Sequence, residues 1–395
     1  MARLSPDTFA LTVLLGILTA LGPLSTDLYL PSLPAIARYF SATSGQAQIT
    51  LSAYLIGYAM GLPLYGPLSD RHGRKTILMA GLILYGVANA LSSLAPTLDV
   101  LIASRWLQGL GAAGPLVIVR AIVRDLHEGR QAAQELARMG SIMGIVPAIA
   151  PVLGVALEAG FGWRANFVAT SLLAAGLAFW AAAKLPETLA ERLLAPLSPK
   201  VILGGFAGLV GDRRFLPFGM LAAATYTGLF AFISASSFIY QQQFGVSPLA
   251  FAMAFIIMVA GYVCGSYVSQ HLAMKLEARR LLLLGAGLQA TGGLAMLAAV
   301  LAFPGTPWSI TLPMVAYSAG VGFSLPQSMA GAMMPFPERA GAVSSLLGIF
   351  QMGCAATFGT LVGAFIDRGP LVLAGTIALF GVLALPLQPF LKRKA

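Results

Sequence analysis

Asp27 is a carboxyl set in an otherwise apolar run, within Pro23-Leu24-Ser25-Thr26-Asp27-Leu28-Tyr29-Leu30-Pro31. Arg105 is a guanidinium in a second such run, within Leu101-Ile102-Ala103-Ser104-Arg105-Trp106-Leu107-Gln108. Side chains of these types at such positions suit proton handling. A carboxyl whose proton affinity changes between two environments can carry a proton from one to the other. Arginine keeps its proton at ordinary pH, so its work is electrostatic: tuning a carboxyl or holding a polar network. Each has a purely structural alternative. Asp27 would also serve as an interfacial helix cap near Pro31, and Arg105 as a donor to carbonyls of neighbouring helices. A third cluster is the turn Gly66-Pro67-Leu68-Ser69-Asp70-Arg71-His72-Gly73-Arg74-Lys75, which crowds five ionisable side chains between apolar runs. A tight glycine turn there would bring Asp70 against neighbouring helix ends, where an acid is favoured at a helix N-terminus. That arrangement suits a gate.

The elements that position these groups follow from composition. The chain has 395 residues, of which 58% are hydrophobic and 10% charged, with a mean hydropathy of +0.83. Soluble domains carry roughly 25% charged residues, so lipid must be the solvent for much of this chain. Spanning helices need about 20 mostly apolar residues, and twelve stretches qualify: 9–33, 46–68, 77–94, 98–123, 139–159, 163–185, 215–240, 249–271, 281–303, 310–333, 341–365 and 371–391. Backbone groups in lipid must bond internally, so these stretches are helices. The expectation is an all-α integral membrane protein of 12 transmembrane helices. The first stretch has no small-residue cleavage site after it and reads as a retained helix. The longest polar gap divides the chain into an N-terminal six-helix bundle (1–185), a linker loop (186–214) and a C-terminal six-helix bundle (215–395). A faint repeat relates the halves: the charged turn after the second span has a counterpart in Lys275, Glu277, Arg279 and Arg280.

The net charge is +10. In a soluble protein that would suggest nucleic acid. Here nineteen basic residues fall on one side of the twelve spans: Arg3; Arg71, Arg74 and Lys75; Arg124, Arg130 and Arg138; Lys184, Arg192, Lys200, Arg213 and Arg214; Lys275, Arg279 and Arg280; Arg339; Lys392, Arg393 and Lys394. Only Arg38, Arg164 and Arg368 fall on the other, and Arg105 and Arg120 remain inside the fourth span. The positive-inside rule then places both termini and the linker in the cytoplasm, and no nucleic-acid partner is expected. Arg120 lies towards the cytoplasmic end, where its head can snorkel to the interface.

Other chemistries lack their residues. His72, His127 and His271 stand apart from other ligand types, so no metal site is expected. Cys264 and Cys354 lie far apart in apolar runs and read as packing residues. No Ser/His/Asp arrangement and no G-x-x-x-x-G-K-[ST] phosphate loop occurs, so an ion gradient rather than a nucleotide is the expected energy source, with no cofactor. Helix-breaking and small residues do stand out. The fourth span has Gly109, Gly111, Ala112, Ala113 and Gly114, a face that lets helices approach. The fifth has Gly144, Pro147, Pro151 and Gly154, and its two prolines remove backbone donors and should bend it.

On these residues a resemblance rests. The 66–75 turn is similar to the signature loop of the major facilitator superfamily, G-x-L-a-D-r-x-G-r-[kr]. The Arg105 segment resembles that family's second motif, whose arginine is implicated in proton coupling. Pro147-Ala148-Ile149-Ala150-Pro151-Val152-Leu153-Gly154 resembles its antiporter-type motif, with Val155 where a second glycine is usual. Ser25 to Pro34, Leu185-Pro186-Glu187-Thr188, Ile233 to Tyr240 and Phe336 to Gly341 are similar to the bicyclomycin-resistance (Bcr/CflA) group of drug:proton antiporters, although Ser237 stands where that group usually has proline. The resemblance implies two pseudo-symmetric six-helix bundles in a bacterial inner membrane, acting as a monomer. It also implies proton coupling through Asp27 and Arg105, and gating by Gly66, Asp70, Arg71, Gly73, Arg74 and Lys75.

Such transporters bind substrate near the midplane between repeats. The candidate cavity residues are Tyr29, Gln48 and Tyr54, with Tyr226, Phe232, Ser236, Tyr240, Gln327 and Gln351; aromatics among them would equally face lipid or pack between helices. The expected function is proton-coupled export of small drug-like molecules. Export or exchange of a natural metabolite such as a nucleoside or amino acid is the alternative, and a membrane sensor without transport is a third reading.

Overall fold

The computed structural model describes residues 8–192, 199–385 and 387. Arg3, Lys392, Arg393, Lys394, residues 193–198 of the linker and the last residues of the twelfth stretch lie outside the described residues. The described chain is helical throughout. Its α-helices are α1 (Phe9–Asp27), α2 (Leu33–Tyr39), α3 (Ser44–His72), α4 (Arg74–Ser93), α5 (Leu98–Leu126), α6 (Gly129–Phe161), α7 (Arg164–Lys184), α8 (Pro199–Val210), α9 (Leu216–Phe238), α10 (Pro248–Leu272), α11 (Ala278–Ala302), α12 (Trp308–Met333), α13 (Ala340–Phe365) and α14 (Pro370–Leu383). Among the described residues nine segments are long and apolar enough to cross a membrane. They contain α1 with α2, α4, α5, α6, α7, α9, α10, α11 and α13. Helices also occupy the other three expected stretches. Of these, α3 and α12 are 29 and 26 residues long, and α14 is a shorter apolar helix.

The first span departs from expectation. It is not one helix over 9–33. It breaks after Asp27, makes a single 3-10 turn at Leu30–Ser32, and resumes as α2. Pro31 and Pro34 lack the N–H groups that would bond the Asp27 and Leu30 carbonyls four residues back, and their rings crowd those carbonyls. Asp27 therefore stands at the end of a helix, not in its middle. The fifth span behaves oppositely: α6 runs unbroken past Pro147 and Pro151.

The chain divides into two compact units. One comprises residues up to 32 with 53–201; the other comprises 33–52 with 202 onwards. Within the first, α1 packs on α5 and α6, and α4 on α5 and α7. Within the second, α9 packs on α12 and α13, and α11 on α12 and α14. Counting α1 with α2 as one span and leaving out α8, the second set of pairings is the first shifted by six spans. The repeat that was faint in sequence is explicit in which helix touches which.

Glycine makes these pairings close. A Cβ at Gly57 would meet the Trp106 carbonyl, and one at Gly109 would meet the Tyr54 carbonyl, so α3 and α5 cross backbone to backbone. In the second unit a Cβ at Gly265 would meet the Ala319 backbone, and one at Gly322 the Tyr262 carbonyl, which sets the same crossing between α10 and α12. Helices in lipid gain nothing from the hydrophobic effect against one another, so such contact supplies the attraction. At the end of the second unit that holds α8, Leu209, Phe215, Phe336, Val343, Leu346 and Leu347 form an apolar cluster that seats α8 against α9 and α13.

Gly109→Leu is expected to lower stability by about 1–3 kcal/mol or to prevent folding, because the Tyr54 backbone cannot yield. Gly176→Ala, at an exposed helical position with nothing within 4 Å of the added carbon, is expected to be neutral or to stabilise by up to ~1 kcal/mol. Thermal unfolding of the purified protein in detergent distinguishes the two.

Candidate functional site

The interior of the first unit is organised by polar groups placed on five helices. Arg105 on α5 is fully buried. Its Nη1 donates to the Ser25 carbonyl on α1 at 3.2 Å and to Gln108 Oε1 one turn along. The rings of Tyr29 and Tyr54 each lie 4.6 Å from its guanidinium carbon, with Phe167 at 5.8 Å. Its Nε and Nη2 have no hydrogen-bond partner. Aromatic faces, negative at the ring centre, take the place of acceptors there. Among the described residues no carboxylate comes within ion-pair distance of it, so Asp27 and Arg105 are not paired.

From Arg105 the network spreads by amides and hydroxyls. Gln108 Nε2 donates to Asn89 Oδ1 on α4 at 2.7 Å, and Thr170 on α7 donates to the same oxygen at 2.6 Å. Asn89 in turn donates to the Tyr85 carbonyl, and Tyr85 shares a 2.7 Å hydrogen bond with Ser25. Tyr54 on α3 donates to the Gly22 carbonyl at 3.1 Å. A small cavity bordered by Ser25, Tyr29, Gln108, Asn166, Phe167 and Thr170 lies within this set, with space of about 10 Å³, close to the room one water needs. Asn89, Asn166 and Thr170 were not singled out from the sequence. An amide inside an apolar run was the available signal, since such a group must find a partner in lipid.

Asp27, two residues after Ser25, is buried. Its Oδ1 accepts from Thr26 Oγ1 at 3.1 Å. A carboxyl held by one neutral hydroxyl keeps or loses its proton according to whether water or a cation reaches it. Arg120, half-buried on α5, is held by contacts of its own outside the bonds that join Arg105 to α1, α4 and α7.

The charged turn is tighter than the sequence suggested. Gly66 to Lys75 is not a loop: α3 continues to His72, α4 begins at Arg74, and Gly73 alone makes the turn, at φ +99°. That conformation suits glycine alone among common residues, and a Cβ there would strike the Glu187 carboxylate. Arg74 is the hub. Its Nη1 donates to Ser69 Oγ at 2.8 Å and pairs with Asp70, and its Nε donates to Asp125 Oδ2 on α5 at 2.9 Å. The acid at the α4 N-terminus is not Asp70, as expected, but Glu187. Its two oxygens accept from the backbone N–H groups of Arg74 at 2.8 Å and Lys75 at 3.2 Å. Lys75 Nζ reaches the Ala182 carbonyl at 2.7 Å, and Thr188 joins Asp125 at 3.1 Å. The Leu185 to Thr188 segment thus ties α7 to the turn. Arg71 is exposed, and Gly66 lies within α3.

The antiporter-type motif divides into unlike parts. A Cβ at Gly154 would meet the Leu28 carbonyl, so α6 touches the broken end of α1 there. Gly144, expected on a close-packing face, is exposed and has nothing within 4 Å. Pro151 is buried and Pro147 half-buried.

The remaining candidates lie in the second unit. Phe232 is buried and stacks on Phe255 with centroids 6.2 Å apart. Tyr240 is buried and shares a 2.7 Å hydrogen bond with Thr311, in a π-helical turn that follows α9. Tyr226 stacks on Phe230 at 6.3 Å. Ser236, Gln48 and Gln351 are buried with unbonded polar atoms, and Gln327 is half-buried. Phe232 and Tyr240 are packed within their own unit, as the helix-packing alternative had it.

Arg74→Lys is expected to destabilise by roughly 1.5–3 kcal/mol, because one amine cannot serve Ser69, Asp70 and Asp125 together. Glu187→Ala should cost about 1 kcal/mol by uncapping α4, and Glu187→Gln less, since it keeps an acceptor. Thermal midpoints in detergent give the order, and a Lys variant as stable as wild type would contradict it.

The chain matches the model of the Major Facilitator Superfamily over residues 15–360. It is 30% identical over 386 residues to the "Uncharacterized MFS-type transporter YdgK" of Bacillus subtilis, covering 95% of this chain and 96% of that protein. It is 28% identical to the "Bicyclomycin resistance protein homolog" of Haemophilus influenzae, over 91% of this chain and 90% of that protein. It is 27% identical to "Multidrug resistance protein D" of Escherichia coli, over 94% of this chain and 93% of that protein. With these matches, the apolar helices make it a multi-pass membrane protein and a transporter rather than an enzyme. The chain belongs to the major facilitator superfamily.

Proposed function

We propose that this transporter exports small drug-like molecules in exchange for protons. The observation that carries the reading is Asp27. It is a buried acid at the break of α1, bonded by the neutral Thr26 hydroxyl and paired to no cation among the described residues. Relatives named for bicyclomycin and multidrug resistance, similar over more than nine-tenths of the chain, support a drug-like substrate. In the proposed cycle, substrate enters from the cytoplasm while Asp27 is ionised. The turn at Gly73 closes the inner face. Asp27 takes a proton from outside as the substrate leaves, and releases it inwards on return.

The proposal carries its setting with it. The protein works as a monomer in a bacterial inner membrane, with both termini cytoplasmic, and draws on the proton gradient without a cofactor. Its candidate substrate-binding residues are Tyr29 and Tyr54 in the first unit and Gln48, Tyr226, Ser236, Gln327 and Gln351 in the second, polar groups and aromatics of the kind that suit loose recognition.

The test is drug resistance and drug-driven proton flux. An efflux-deficient strain expressing the chain is exposed to a broad compound panel, and compounds it resists are tested in proteoliposomes loaded with a pH-sensitive dye. Asp27→Asn is expected to lower drug-driven proton flux at least ~10-fold, the loss of a group that must titrate. Wild-type flux at every pH in that variant would rule the mechanism out.

A further inference from the structure

The break in α1 is held from outside α1, and the holding residues take no part in the cycle above. Ser32 closes the 3-10 turn that follows the break and is fully buried. Its hydroxyl donates to Glu158 Oε2 on α6 at 2.7 Å. The serine oxygen accepts in turn from Asn166 Nδ2 on α7 at 2.9 Å. Asn166 borders the small cavity shared by Ser25, Tyr29 and Gln108, and its Oδ1 is buried without a partner. One turn before Glu158, Gly154 lets α6 touch the Leu28 carbonyl. Residues four apart lie on one helical face. A single face of α6 therefore grips both ends of the break, at Leu28 through Gly154 and at Ser32 through Glu158, and Asp27 is the residue immediately before it.

A carboxylate in an apolar helix is costly unless it does something. Glu158 was not singled out from the sequence because it stands one turn from the end of its span, where a solvated acid is ordinary. Its bond to a fully buried serine is not that of a solvated acid. We propose that Glu158 is a positioning residue for Asp27: acting through Ser32, it fixes the path of α1 beyond the break and so fixes where the Asp27 carboxyl sits. The titratable or charged groups that face this part of α1 are Tyr54 and Tyr58 on α3, Tyr85 on α4, Arg105 on α5 and Glu158 on α6. From α7 the residue bonded to Ser32 is the uncharged Asn166. Of the two carboxyls at the break, Asp27 ends the helix and Glu158 holds the turn that follows it.

The inference rests on Asp27 as the titrating group, and the experiment separates the two claims. Infrared difference spectra of the purified full chain, recorded over a pH series, report protonated carboxyls by their C=O stretch. The part lost in Asp27→Asn belongs to Asp27. Ser32→Ala and Glu158→Leu are expected to move the midpoint of that band, in either direction, by roughly half a pH unit or more, as its surroundings change. Ser32→Thr, which restores a hydroxyl, and Glu158→Gln, which keeps an acceptor, are expected to stay near wild type. Ser32→Ala is mild enough to keep the fold if Glu158→Leu does not. An unmoved midpoint in Ser32→Ala would overturn the positioning role. So would a shift in Glu158→Gln as large as in Glu158→Leu, because the charge and not the grip would then be acting. If no titrating band is lost in Asp27→Asn, the proton-carrier reading fails, and this inference with it.

Discussion

Arg105 cannot shed its charge and cannot reach water. In lipid that combination costs several kcal/mol unless the surroundings answer it, and the first unit is arranged as the answer. Tyr29, Tyr54 and Phe167 present ring faces to the guanidinium, and Ser25 and Gln108 present oxygens. Those groups come from α1 and the residues just after it, α3, α5 and α7. Gln108 leads to Asn89, Asn89 to Thr170 and Tyr85, and Tyr85 back to Ser25. Removing the charge would leave the Ser25 carbonyl and Gln108 Oε1 without their shared donor. Buried polar networks are stiff when satisfied and unstable when not. This one leaves two guanidinium nitrogens to ring faces instead of acceptors.

A stiff interior needs helices close enough to reach one another, and here glycine enters. The α3–α5 crossing at Gly57 and Gly109 sets the depth at which Tyr54 meets Arg105. The second unit has the same crossing between α10 and α12 but no buried arginine among its described residues. Gln289 takes the central place there, bonding Ser324 at 2.8 Å. One packing scheme thus serves two interiors: one built around a fixed charge, the other neutral.

Much of this was legible in the chain before any coordinates. Apolar runs gave the membrane, and Asp27 and Arg105 stood out because ionisable groups in such runs are rare. The charged turn was recognisable by its residues. What sequence could not give was partnership across distance. Asp70 stands next to a helix start and so reads as its cap, yet Glu187, more than a hundred residues on, does that work because α7 ends beside α4. Gly144 and Gly154 read as one motif eleven residues long, but they lie nearly three helical turns apart, and only Gly154 faces a neighbour. The break in α1 was visible as Pro31 and Pro34. The expectation of a continuous first span overrode it, because apolar length outweighed proline in placing the helix.

The two arginines at the heart of the first unit differ in one respect that matters for coupling. Arg74 bonds Asp70 and Asp125, whose side chains remain 35% and 20% exposed. Salt and water reach that network, so its bonds are exchangeable at modest cost. Arg105 is sealed from both. A gate must open and close many times with little net cost, which suits partly exposed ion pairs. A coupling site must translate one proton into a change of structure, and that requires a field that solvent does not damp. In the proposed cycle the two requirements fall on separate arginines in separate surroundings, joined by α5, which carries Arg105 inside and Asp125 at its end. A shift of α5 along its axis would strain both networks together, so that helix is the physical link between the buried arginine and the charged turn.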